Sequence, residues 1–268
     1  MSFRRYSGIV GGQAGALRWI GLAVGFGLAL AAVAQTGPAP AQVTAQPETA
    51  PAEVAPLTDA HGPARPGDTS AGAGKAAACA ACHSLDGNSA DPQYPKLAGQ
   101  NERYIARQLA LYKSGGRENA IMLGFASVLS PQDMRDIGAY FAKQSVRAGI
   151  ADESLIGEGP NKDKKFYQVG EALYRGGNAA RGIPACMACH GPSGHGNAGA
   201  AYPALAGQHA GYTATQLQHF RDGKVWGKNE TTNIIMGDVA KQLTDEEIQA
   251  VATYIEGLHA TTTVAAQP

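Results

Sequence analysis

From about residue 69 onward the apolar residues recur three and four positions apart, and no segment shows the strict alternation that a half-buried strand requires. One such stretch runs through Tyr104, Ile105, Gln108, Leu109 and Tyr112, and a second through Tyr212, Thr213, Gln216, Leu217 and Phe220; each set builds one face of a helix. Met134, Ile137, Tyr140 and Phe141 form a further face, matched by Ile248, Val251, Tyr254 and Ile255. Both of these later helices start behind a hydroxyl residue, Ser130 or Thr244, able to cap the first turn, and Thr244 with Glu247 fits a capping box. Shorter helices are predicted around Ala71–Ala80 and Lys165–Arg175. The chain is therefore predicted to be all-α.

The pattern comes in two copies. Tyr94-Pro-Lys-Leu-Ala-Gly-Gln100 recurs as Tyr202-Pro-Ala-Leu-Ala-Gly-Gln208, and the helices that follow each copy match as well, so the chain reads as a tandem duplication. Between the copies, Val146 to Lys165 has no sustained apolar period and reads as a linker. The predicted organisation is a first helical domain over 69–146, a linker over 147–164 and a second helical domain over 165–260.

The amino terminus is different in kind. Arg4, Arg5 and Arg18 precede the apolar run Trp19–Val33, and Ala32-Val-Ala34 fits the small-residue rule for cleavage, so residues 1–34 read as a signal peptide, with an uncleaved anchor as the alternative. Residues 35–68 are dominated by Ala, Pro, Gln, Thr and Gly, bury little, and read as a flexible tether. Removing the first 34 residues leaves 19 Lys and Arg against 22 Asp and Glu, a formal charge of −3, which excludes nucleic-acid binding driven by bulk charge.

All four cysteines fall in two motifs, Cys79-Ala-Ala-Cys82-His83 and Cys186-Met-Ala-Cys189-His190. Cys-x-x-Cys-His is the signature of covalent c-type haem attachment, with Cys79, Cys82, Cys186 and Cys189 forming thioethers and His83 and His190 ligating iron. A redox dithiol, a disulfide or a zinc site would each have to explain why histidine follows the second cysteine twice. Two haems c are expected, each substituting for part of the core of a domain that is marginal on its own burial.

In each half a methionine precedes the capped helix at a matched distance: Met122 before Ser130 and Met236 before Thr244. Their placement marks them as sixth ligands, ordinary packing being the alternative. Met134 sits at a core position and Met187 between two cysteines, which removes both from contention. Pro95 and Pro203 follow the motif histidines by 12 and 13 residues. Either their carbonyls accept the histidine Nδ1 proton or they are turn prolines. His61, His195, His209, His219 and His259 match nothing across the halves and are assigned to the surface.

With both Cys-x-x-Cys-His motifs, both Tyr-Pro-x-Leu-Ala-Gly-Gln runs, Gly170-Glu-Ala-Leu-Tyr-Arg-Gly-Gly177 and both methionine-then-capped-helix segments, residues 69 to about 258 resemble the dihaem class I cytochromes c of the cytochrome c4 family. The resemblance implies two tandem class I cytochrome c domains with His/Met-ligated haems, facing each other across a pseudo-twofold axis with the haem propionates near the interface. It implies a periplasmic, non-enzymatic electron carrier, soluble or membrane-associated, between a quinol-oxidising cytochrome bc complex and a terminal oxidase. The long tether departs from the family pattern and adds weight to membrane association. The alternatives are an electron-transfer subunit of a periplasmic dehydrogenase complex, and a dihaem peroxidase in which one iron has an open axial position.

Overall fold

Ten helices make up the regular structure of the computed structural model, which describes residues 65–224, 226–227 and 231–259, without the side chains of 231–233. The segments read as signal peptide and, to residue 64, as tether lie outside the described residues, as does His61. The helices are α1 (Thr69–Ala76), α2 (Ala80–His83), α3 (Glu102–Ser114), α4 (Ala120–Ser127), α5 (Pro131–Ala142), α6 (Phe166–Gly176), α7 (Met187–His190), α8 (Ala210–Arg221), α9 (Thr231–Ala240) and α10 (Asp245–Gly257). Among the described residues there is no strand, only isolated bridges.

The two halves repeat one packing scheme. In the first, α5 packs on α1 and α3, and α3 on α4; in the second, α10 packs on α6 and α8, and α8 on α9. Each half has its own core. Ile105, Leu109, Met134, Ile137 and Phe141 centre the first, and Val169, Leu173, Leu217, Ile248 and Val251 the second. The helix faces expected from apolar spacing are therefore the buried ones. Close crossings fix the geometry: a Cβ on Gly72 would lie 2.0 Å from the Asp136 carbonyl oxygen, and one on Gly170 2.0 Å from that of Ala250, so at both crossings only glycine allows the helix backbones to meet.

Both predicted caps form, and the first exceeds expectation. Ser130 and Asp133 make a full capping box, as Thr244 and Glu247 do, because aspartate reaches back to the cap amide as glutamate does (Asp133 Oδ2 accepts from Ser130 N at 2.8 Å). The stretch 146–165 is not a loose connection. Ile156 is buried in the second core, Gly149 N donates to Glu256 O at 2.8 Å and Asp152 N to Thr253 Oγ1 at 2.5 Å, so the strap lies along α10. One apolar anchor and a run of backbone bonds hold it, which is too little periodicity to register in sequence.

Candidate haem sites

Each Cys-x-x-Cys-His motif folds into a short helical turn, through a 3₁₀ turn at Ala77–Cys79 and α2 in the first half and through α7 in the second. The turn brings the first cysteine and the histidine, four residues apart, to the same side. None of the four cysteines is in a disulfide. Burial pushes the thiols of Cys79 and Cys186 up, Cys186 to about 11, the opposite of the acidic thiol that a redox dithiol needs.

His83 and His190 are buried, and each meets a proline carbonyl: His83 Nδ1 lies 2.8 Å from Pro95 O, and His190 Nδ1 3.0 Å from Pro203 O. A carbonyl only accepts, so in both rings Nδ1 carries the proton and Nε2 keeps its lone pair. Burial holds both imidazoles below their ordinary pKa, against the smaller opposing pull of the proline carbonyls. Of the two readings of Pro95 and Pro203, the carbonyl acceptor is the one observed. The tyrosines of the same motif stand beside the rings, with centroids at 6.2 Å for both Tyr94–His83 and Tyr202–His190.

The histidines, all four cysteines, Met122 and Met236 line one cavity of about 1680 Å³ that runs through both halves. Met122 sits on α4, whose first turn is capped when Asn119 Oδ1 accepts from Met122 N at 2.9 Å; Met236 sits on α9 and packs against the second core. Met134 is a buried core residue of the first half, and Met187 packs on the second core without lining the cavity.

The lining fits a large apolar group in each half. Ile121, Phe125, Val128 and Ile235 face the cavity and remain well exposed, Val128 to 83%, so helices with good apolar residues leave them uncovered toward the cavity. A macrocycle held by the motif cysteines would cover this surface. Bound haem supplies one-electron chemistry; the protein supplies burial, orientation and hydrogen bonds.

Residues to which the sequence pattern assigned no role hold the two halves together. Gln100 Nε2 donates to Ala204 O at 2.9 Å while its Oε1 accepts from Ala204 N at 2.8 Å; Gln208 does the same with Lys96, at 2.9 Å for both bonds. Lys96 is buried, its Nζ on the carbonyls of Arg147 (2.6 Å) and Gly207 (2.9 Å). His209, assigned to the surface from sequence, is instead buried here, its Nε2 donating to Ser89 O at 3.0 Å. Its partner lies 120 residues away, and a lone histidine at a helix start gives no hint of that. His195 and His259 are exposed and His219 half-buried. Repetition of glutamine at the end of both seven-residue motifs was the one available signal for Gln100 and Gln208.

Fold and site together define a helical protein with two covalent haem sites in tandem. The cytochrome c family model matches residues 70–145 and 169–259. Cytochrome c4 of Azotobacter vinelandii is 46% identical over 202 residues, covering 72% of this chain and 90% of that protein. The reduced recombinant cytochrome c4 crystal structure from Pseudomonas stutzeri superposes with a TM-score of 0.64 at 44% identity, covering 72% of this chain and all of that one. A thiosulfate dehydrogenase electron acceptor of Stutzerimonas stutzeri is 38% identical over 188 residues, 69% of this chain and 82% of that protein. The chain belongs to the cytochrome c4 family; it is a dihaem electron carrier with two covalently bound haems c. No described helix is long and apolar enough to cross a membrane.

Proposed function

We propose that this cytochrome carries electrons in the periplasm between a quinol-oxidising cytochrome bc complex and a terminal oxidase, with His83 and Met122 ligating one haem iron and His190 and Met236 the other. The thioethers fall at Cys79 and Cys82 in the first site and at Cys186 and Cys189 in the second. One observation carries the reading: each half presents to a shared cavity an imidazole whose Nδ1 is spent on a proline carbonyl, leaving Nε2 for iron, together with one methionine at a matched position. An iron with both axial positions filled by protein binds no substrate, and it changes oxidation state with little rearrangement. That suits a carrier and not an enzyme.

The observation that favours a second reading, electron acceptor for a thiosulfate dehydrogenase, is the similarity to relatives carrying that name. The two are separated by rapid mixing of the oxidised protein with each purified donor. Reduction by the bc complex within the dead time to milliseconds, and slow reduction by thiosulfate dehydrogenase with thiosulfate, is the expected result; the reverse order assigns the chain to the dehydrogenase.

A further inference from the structure

Arg117 stands in the turn between α3 and α4, lines the shared cavity and is 8% exposed. A buried guanidinium normally meets a carboxylate, because desolvating an unpaired charge is costly. Arg117 meets none among the described residues. Its Nη1 donates to Gln108 Oε1 at 2.7 Å and its Nη2 to Tyr212 Oη and Gln216 Oε1, both at 3.0 Å. The guanidinium also lies 3.7 Å from the Trp226 ring centroid and 4.8 Å from that of Tyr112. Every one of these partners is neutral. Three of its five N–H donors are used, and two remain for a group in the cavity.

Two further features point to an anionic occupant of that place. Gln108 Nε2, on a side chain that Arg117 holds, is buried with no hydrogen-bond partner among the described residues. Arg107 aside, the described lining of the cavity carries Lys75, Lys96, Arg117 and Lys224 against a single acidic side chain, Glu118, which is exposed. Of these cations Lys75 is already neutralised by Asp133 and Asp136, so it makes no demand on an anionic occupant. The groups that enter the cavity bring their own carboxylates, the haem propionates. Arg117 is reached from both halves, by Gln108 of the first and by Tyr212 and Gln216 of the second.

On the dihaem reading above, we propose that Arg117 is the common counter-ion for one propionate of each haem, and that its charge raises both reduction potentials. A cation fixed in a low-dielectric site favours the ferrous over the ferric iron, and the two remaining donors, Nε–H and one N–H on Nη1, lie on different edges of the guanidinium, so each can meet a separate carboxylate. The bonds to Gln216 and Tyr212 make Arg117 a positioning residue for the interface as well, so the test must separate charge from clamp.

The experiment is a spectroelectrochemical titration of the haem-loaded protein as wild type, Arg117→Gln and Arg117→Lys, at about pH 9, where carboxylates are ionised. Haem-to-protein ratio and the far-red methionine–iron band serve as controls. In Arg117→Gln both potentials fall, and in Arg117→Lys both recover most of the loss, since lysine keeps the charge without the planar set of donors. A lower melting temperature with both potentials unchanged overturns the proposal and leaves Arg117 an interdomain clamp; movement of one potential alone overturns the shared role. A crystal structure of loaded wild type decides independently of any variant: carboxylates of both haems within hydrogen-bond reach of Arg117 support the proposal, and carboxylates of either haem directed elsewhere overturn it. A wild type with fewer than two haems, or without the far-red band, instead refutes the ligation reading.

Discussion

Gln100 and Gln208 make the same pair of hydrogen bonds across the domain interface in opposite directions, each side-chain amide closing on both backbone groups of one residue in the other half, Ala204 and Lys96 respectively. Each Oε1 also accepts from the next amide along the chain, Asn101 N at 2.9 Å and His209 N at 3.1 Å, which helps to hold the side chain in this rotamer. The interface thus pairs two loop segments through side-chain amides that each close on the backbone N–H and C=O of one residue. The duplicated motif makes it symmetric.

Truncating either glutamine leaves a buried N–H and C=O without partners. Gln208→Ala is expected to cost about 1–3 kcal/mol, and Gln100→Ala a similar amount. The double variant is expected to lose less than the sum, because once one clamp opens water reaches the other. Denaturant unfolding followed by far-UV circular dichroism measures all three. Full additivity would mean that the clamps act independently.

Met122→Ala and Met236→Ala each remove one thioether from the cavity wall. In the oxidised protein the weak far-red sulfur-to-iron band is expected to fall by about half in either variant, since two equivalent sites contribute, and to vanish in the double variant. A band unchanged by Met122→Ala would reassign the sixth ligand of the first haem.

Periodicity of period 3.6 made the helix faces legible, and duplication singled out His83, His190, the four cysteines, Met122 and Met236 in the cavity lining, because every one of them is repeated or local. Arg117 escaped for the opposite reason. It lies in a Gly-rich turn with no counterpart in the second half, and its meaning comes from Gln216 and Tyr212, 99 and 95 residues away. His209 and Lys96 are the same kind of case: a polar residue whose burial is created by docking of the halves has no local pattern. Asp136 was hidden within a helix face for a related reason. It is buried, yet polar, because it serves α1.

Asp136 accepts from Asp68 N at 2.9 Å and from Lys75 Nζ at 2.6 Å, whereas the equivalent crossing in the second half places Leu173 and Ala250 at the positions of Lys75 and Asp136. The second half therefore supplies the apolar solution to the same packing problem. Asp136→Ala alone is expected to destabilise by about 1–3 kcal/mol, stranding its donors. Adding Lys75→Leu is expected to recover part of the loss, because the half-buried lysine then no longer faces an apolar position, although its second pair, with Asp133, is lost as well. Scanning calorimetry of the single and double variants checks this; a double variant less stable than the single one refutes it.

The same ion pair sets an acid limit. Burial by itself would raise the Asp133 carboxyl, but hydrogen bonds from Lys75 and Ser130 outweigh it and hold the group at about 2, below its ordinary 3.8; Asp136 is also held low, its burial outweighed by hydrogen bonds from Lys75 and the Asp68 amide. A carboxyl whose pKa is lower folded than unfolded contributes stability that is complete above the unfolded value and lost as pH falls through the folded one. Melting temperature is therefore expected to hold down to about pH 4 and to fall between about 4 and 2. The Lys75→Leu, Asp136→Ala variant is expected to show a shallower acid limb. An unchanged limb would assign the acid transition to other carboxylates.

If both irons are saturated by protein ligands, neither offers a site to an exogenous molecule. Carbon monoxide is then expected to bind the reduced protein slowly or not at all, and hydrogen peroxide to persist in its presence, while electron exchange with a redox partner stays fast. Ionic strength is expected to modulate that exchange wherever charged rims guide docking. Removing one ligand makes the internal control. Met122→Ala opens a single iron, so carbon monoxide is expected to bind rapidly to about half of the haem, with the other half protected by Met236. Rapid binding to half the haem of the unaltered protein, together with peroxide consumption, would instead identify one methionine as a displaceable gate and the protein as a peroxidase.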